Sequence, residues 1–84
     1  MSNYFERVRE VLVDQLGVMT SSVSPKADIQ GDLGVDSLDY VEIIMVLEDE
    51  FDIEIDDEDF EGFAVVEDIV KYLERVKPPG TQEG

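Results

Sequence analysis

The 84 residues carry 22 acidic and 6 basic side chains, a formal charge of -16, with no Cys and no His. This length holds one small domain. The missing Cys excludes disulfides and thiolate metal sites, and the missing His removes the commonest general base. A self-sufficient enzyme is therefore disfavoured, and any thiol chemistry must use a sulfur from elsewhere.

From Ala27 to Val70 there are seventeen Asp and Glu residues and no Lys or Arg. Arg7, Arg9 and Lys26 precede this stretch, and Lys71, Arg75 and Lys77 follow it. Such a surface repels nucleic acid and anionic membranes and favours basic protein patches and divalent cations. Apolar residues make up 43% of the chain and recur at helical spacing, which argues against disorder. No secretory signal, membrane-spanning run or lipidation motif is read, so the expectation is a soluble, cytoplasmic monomer, with a removed transit peptide left open.

In chain order, residues 3–16 read as an amphipathic helix through Tyr4, Phe5, Val8, Val11, Leu12 and Leu16. Asn3 and Glu6 stand in capping-box positions, and Gly17 suits a left-handed helix end. Residues 18–36 read as a long loop rich in Ser, Gly and Pro, with Val23, Ile29 and Leu33 available to hold it to a core. Ser37 to Phe51 is the strongest helix, with Asp36 as its N-cap and Asp39 adding charge to the first turn. Phe51 to Ile55 alternates like a strand but has no evident partner, and is read as a linker that buries Ile53 or Ile55. A short acidic helical turn over 56–61 follows, capped by Asp56 and ended by Gly62. The last helix, 65–76, places Val66, Ile69, Val70, Leu73 and Val76 on one face and stops at Pro78 and Pro79.

The expected fold is all-α: a small four-helix bundle of three main helices and one short one. The chain is expected to run up and down, with the long loop between the first and second helices. The domain is placed at residues 1–77, and residues 78–84 are expected to form a disordered tail.

The second helix has two apolar faces. At about 100° per residue, Tyr40, Ile43, Ile44, Leu47 and Phe51 gather on one side as the core face. Leu38, Val41 and Met45 fall on the other side, flanked by Glu42, Glu48 and Asp49. An apolar stripe ringed by carboxylates suits a protein-docking surface, and Met suits one that fits several partners.

Gly34-Val35-Asp36-Ser37-Leu38-Asp39 sets an exposed serine at the first position of this helix. A phosphodiester there would be favoured by the helix dipole and by free backbone N–H groups. Gly34 would allow close approach to the backbone, and Asp36 and Asp39 could help hold Mg²⁺. Serine at a helix start commonly caps, so residue type alone leaves both roles open.

Gly31-Asp32-Leu33-Gly34-Val35-Asp36-Ser37-Leu38-Asp39 resembles the phosphopantetheine attachment motif of acyl carrier proteins. The resemblance continues through Val41-Glu42-Ile43-Ile44-Met45-Val46-Leu47-Glu48-Asp49-Glu50-Phe51 and Glu54-Ile55. Gln15-Leu16-Gly17-Val18 is similar to the end of the family's first helix, and residues 66–73 match its last helix in pattern only.

The resemblance implies a carrier rather than an enzyme. It would hold acyl groups as thioesters on a 4′-phosphopantetheine arm attached to Ser37, with Mg²⁺ needed only during attachment from coenzyme A. It also implies that Asp36 and Asp39 meet the phosphopantetheinyl transferase, and it places Asp36, Leu38 and Asp39 with Ser37 at the cofactor-binding site. Leu38, Val41 and Met45 would make apolar partner contacts, and Glu42, Glu48 and Asp49 would meet basic patches on the acyltransferase, ketosynthase and other acyl-processing enzymes. Tyr40, Ile44, Leu47, Ile55, Phe60 and Phe63 become candidates for lining an acyl pocket.

There are departures from the family pattern. Asp56 stands where Pro often follows the Glu-Ile pair, and Ala64-Val65 offers no capping oxygen, so the last helix is expected to fray at its start. Tyr40, Phe60 and Phe63 are bulky for an acyl pocket, which suggests poor shelter for long chains. Fatty-acid synthesis is the expected pathway, and a stand-alone carrier for polyketide or another specialised pathway is the alternative. A remoter alternative is an acidic interaction or cation-binding domain without a prosthetic group. An EF-hand counted from Asp52 fails, because its sixth and twelfth positions hold Asp57 and Phe63 rather than Gly and Glu. No specific metal site is expected.

Overall fold

The computed structural model describes residues 4–77. Four α-helices run α1 (Tyr4–Leu16), α2 (Ser37–Phe51), α3 (Asp57–Glu61) and α4 (Val66–Val76), with a short 3₁₀ turn at Thr20–Ser22. The all-α reading holds, and α2 has its expected ends. The Asn3 cap and the 78–84 tail lie outside the described residues.

Each long helix buries the stripe its periodicity marks. α1 contributes Val8, Val11 and Leu12, α2 contributes Ile43, Ile44, Leu47 and Phe51, and α4 contributes Val66, Ile69, Tyr72 and Leu73. Val76, expected on that last face, is exposed, and Tyr72 is buried in addition to the expected residues. Gly17 ends α1 at φ 71°, donating its N–H to the Val13 carbonyl at 2.8 Å.

α1 packs against both α2 and α4. The Tyr4 hydroxyl donates to the Lys77 carbonyl, and the Tyr4 ring meets Phe51 edge-on at 5.3 Å. The Lys77 ammonium donates to the Phe51 carbonyl. The start of α1 therefore meets the ends of both α2 and α4. Both helices run antiparallel to α1 and hence parallel to each other, as an up-and-down course with α3 in the return connection has them. α3 is too short to be a full return leg, so the 51–66 connection carries the chain back.

The long loop is packed rather than loose. Val23, Ala27, Ile29, Leu33 and Val35 are all buried, which adds Ala27 and Val35 to the expected anchors. Several of its backbone amides are met locally. Asp28 Oδ1 accepts from the N–H groups of Gln30 and Gly31 at 3.0 and 2.9 Å, and Asp32 Oδ2 accepts from the Asp28 N–H at 2.8 Å.

The loop also holds the start of α4. Ile29 donates to the Ala64 carbonyl, Val66 to Ala27 and Glu67 to Pro25, at 2.9, 3.1 and 2.8 Å. The Asp68 carboxylate accepts from Ala64 and Val65 at 2.9 and 3.1 Å. The expected fraying is thus corrected: two amides that lack intrahelical partners donate to loop carbonyls, and Asp68 supplies the missing capping oxygen. Asp56 precedes α3 as expected but makes no side-chain cap bond, and Gly62 ends it. In the 51–55 segment no strand forms; Ile55 is buried and Ile53 half-buried.

Candidate functional site

Ser37 is exposed and is the first residue of α2. The chain reaches it through Gly34, which sits at φ 70° with nothing within 4 Å of where a Cβ would project. A side chain there would be strained by its backbone angle rather than by crowding. Asp36 then adopts extended backbone, and its Oδ1 accepts the Asp39 N–H at 2.8 Å, while its carbonyl accepts the Tyr40 N–H at 2.9 Å. Asp36 is thus committed to capping. The amides of Ser37 and Leu38, first in the helix, have no intrahelical carbonyl to reach. An anionic group on the Ser37 oxygen would sit at the positive end of the α2 dipole.

Leu38, Val41 and Met45 remain uncovered, at 69%, 45% and 60% exposure. Glu42 and Asp49 are also exposed, as the two-faced pattern of α2 predicts. Glu48 differs. It is half-buried, and its Oε2 accepts the Ile55 N–H at 2.8 Å, so it braces the connection after α2.

The remaining predicted residues belong to the apolar core or pack against it. Ile44, Leu47 and Ile55 are buried, and Tyr40, Phe60 and Phe63 are half-buried. The Tyr40 hydroxyl donates to the Phe60 carbonyl, and their rings meet edge-on at 5.5 Å. Phe63 and Tyr72 pair at the same separation. Burial, together with the carboxylates of Asp68 and Glu61, pushes the Tyr40 phenol up to about 12. Tyr72 is also raised, first by burial and then by the Asp59 and Asp56 carboxylates. Both tyrosines are therefore neutral donors at physiological pH. Asp68 moves the other way, lowered by the backbone N–H groups of Ala64 and Val65 against a smaller opposing effect of burial.

A protein-family model described as the phosphopantetheine attachment site matches residues 6–73. The chain belongs to that family. Its members are carriers with a covalently attached 4′-phosphopantetheine prosthetic group, and they work with a phosphopantetheinyl transferase and with acyl-processing enzymes. The match spans most of α1, the long loop, α2, α3 and most of α4, so it takes in all of the described site.

The carrier's described residues contain no cluster of three or more His, Cys, Asp or Glu arranged to hold a metal ion. None of its described helices is long and apolar enough to cross a membrane. Two residues that shape the site escaped the sequence reading. Tyr72 lies three residues after Ile69 and beside Leu73, so helical spacing carried a signal for its burial. Asp68 is acidic at the third helical position, the second half of a capping box whose first half is missing.

Proposed function

We propose that Ser37 bears the phosphopantetheine arm and that the chain carries acyl groups on it between separate enzymes. One observation carries this reading: within a phosphopantetheine attachment domain, an exposed serine opens a helix whose first turn is already capped by its neighbour Asp36. When bound, the arm supplies a thiol that holds the acyl group as a thioester.

The protein's own role is to present and to position. The Ser37 oxygen faces solvent, open to a transferase. The start of α2 favours the negative phosphodiester that forms there. Mg²⁺ is required during attachment only. Leu38, Val41 and Met45 give an apolar strip, and Glu42 and Asp49 give it a negative border, which suits basic docking patches on the transferase, acyltransferase and ketosynthase. The Glu48 bond to Ile55 supports a bracing role for that residue beside any docking role.

Fatty-acid synthesis is supported by the resemblance of the helix that begins at Ser37. A second reading, polyketide or other specialised acyl synthesis, is favoured by the Tyr40–Phe60 contact, which closes the bundle on the side of the serine.

The test is intact mass after incubation with coenzyme A, Mg²⁺ and a broad-specificity phosphopantetheinyl transferase, beside Ser37→Ala. One phosphopantetheine on the wild type and none on the variant is expected. Addition to both would move the site elsewhere. Addition to neither, with the transferase active on another carrier, would sink the assignment.

A further inference from the structure

Tyr40 follows Ser37 by three residues and so lies one turn along the same side of α2. Its hydroxyl bond to the Phe60 carbonyl and the edge-on contact of the two rings, 78° between planes, join α2 to α3. Ile44 and Leu47 come four and seven residues after Tyr40 and continue the same stripe into the core. Leu47 is fully buried, Ile44 is 4% exposed and Ile55 6%. The Phe63 ring against Tyr72 ties the segment that follows α3 to α4.

An apolar chain tethered at Ser37 would reach the nearest region of the interior along this stripe, and Tyr40 is the first large side chain it would meet. To pass, it would have to take the phenol from its acceptor, separate the Tyr40 and Phe60 rings and displace side chains that are already close-packed. A long saturated chain kept outside forgoes a large gain from burial, whereas a short or oxygen-bearing acyl group forgoes little.

We propose that Tyr40, through Phe60, is a specificity-determining residue that denies a Ser37-linked acyl group the interior, so that this carrier suits short or oxygenated acyl cargo. The inference rests on the arm being at Ser37 and names the cargo class for that site.

The experiment compares butanoyl and dodecanoyl forms of the carrier, each confirmed by intact mass. Two quantities are read: the rate of thioester cleavage by hydroxylamine, and the methyl NMR shifts of Ile44, Leu47 and Ile55. On the wild type the two cleavage rates should agree within about twofold, with methyl shifts independent of chain length. In Tyr40→Ala the dodecanoyl form should be cleaved about tenfold more slowly than the butanoyl form, since burying two or three methylenes is enough for such a population shift. Its Ile44 and Leu47 methyl signals should move as well. Tyr40→Phe keeps the ring and loses only the hydrogen bond. It should show protection in the same direction, and it decides the matter if the alanine variant does not fold. Protection of the dodecanoyl form on the wild type, or none in a folded Tyr40 variant, would overturn the proposal.

A failure to load Ser37 would instead count against the arm's assignment. The gate is then read on Ser37→Cys, the only thiol in the chain, alkylated with maleimides bearing butyl or dodecyl chains, through the same methyl signals. Ile44 and Leu47 shifts that respond to chain length with Tyr40 intact would overturn it there too.

Discussion

Glu48 Oε2 accepts the Ile55 backbone N–H at 2.8 Å, joining the last turn of α2 to the connection seven residues on. The buried Ile55 side chain thereby has its backbone held as well. A carboxylate that reads as one more charge on an acidic helix is integral to the fold. Glu48→Ala is expected to lower stability by about 1–2 kcal/mol, because it leaves a half-buried amide without an acceptor. Glu48→Gln, which keeps an acceptor, should lose less, and alanine at the exposed Glu42 or Asp49 should change stability by no more than about 0.5 kcal/mol. Urea unfolding of the four variants checks this ordering.

Asp68 stabilises the start of α4 as an anion. Hydrogen bonds from Ala64 and Val65 hold its carboxyl below the ordinary aspartate range. A lowered folded pKa contributes stability that is present above the unfolded value and lost as pH falls through the folded one. Asp68→Ala should therefore cost about 1–2 kcal/mol near neutral pH. The gap to wild type should close as the solution is acidified below the normal aspartate pKa. A gap that stays constant into strong acid would contradict this account.

Tyr40 predicts the opposite limb. Its phenol is raised from 10.0 to about 12, mainly by burial, so the neutral form is the one the fold favours. That contribution is full below pH 10 and is lost as pH rises toward about 12. Wild type should lose stability relative to Tyr40→Phe across this window, measured by denaturant midpoints at each pH. Parallel loss in both proteins would remove Tyr40 as the cause.

Asp52 ends α2 at φ 57° and ψ 52°, a left-handed conformation on a residue with a Cβ. It also sets a negative charge at the negative end of the helix dipole. Asp52→Gly is expected to raise stability by about 1 kcal/mol. Asp52→Asn removes the charge alone and should gain less. A loss of stability in Asp52→Gly would show that the carboxylate does something further.

The net charge of -16 sets the response to salts. Self-repulsion is expected to lower the melting temperature at low ionic strength, and added Mg²⁺ or Ca²⁺ to raise it. With no three-residue metal cluster among the described residues, the two ions should act to similar extents. No change across a cation titration, or a response to one ion alone, would contradict a diffuse electrostatic origin.

What the chain determines by itself is local or periodic. The ends of α2 were legible because an Asp36 cap, an acidic first turn and a regular apolar repeat all act within one segment. The exposed strip of Leu38, Val41 and Met45 was legible for the same reason, since a helix has a limited face to bury. The exposure of Ser37 followed from its place at the first helical position.

Only the tertiary structure decided the features that join separate segments. Val65, which precedes α4, offers no capping oxygen, and the first amides of the helix find the carbonyls of Pro25 and Ala27 some forty residues upstream. Glu48 becomes a brace only when the connection folds back to bring the Ile55 amide to it. The parallel course of α2 and α4 rests on Lys77 reaching Phe51. The closing of α3 over α2 rests on the Tyr40 hydroxyl finding the Phe60 carbonyl. Helical period and turn chemistry act through neighbours along the chain, whereas the partner of a polar atom is set by which segments packing brings together.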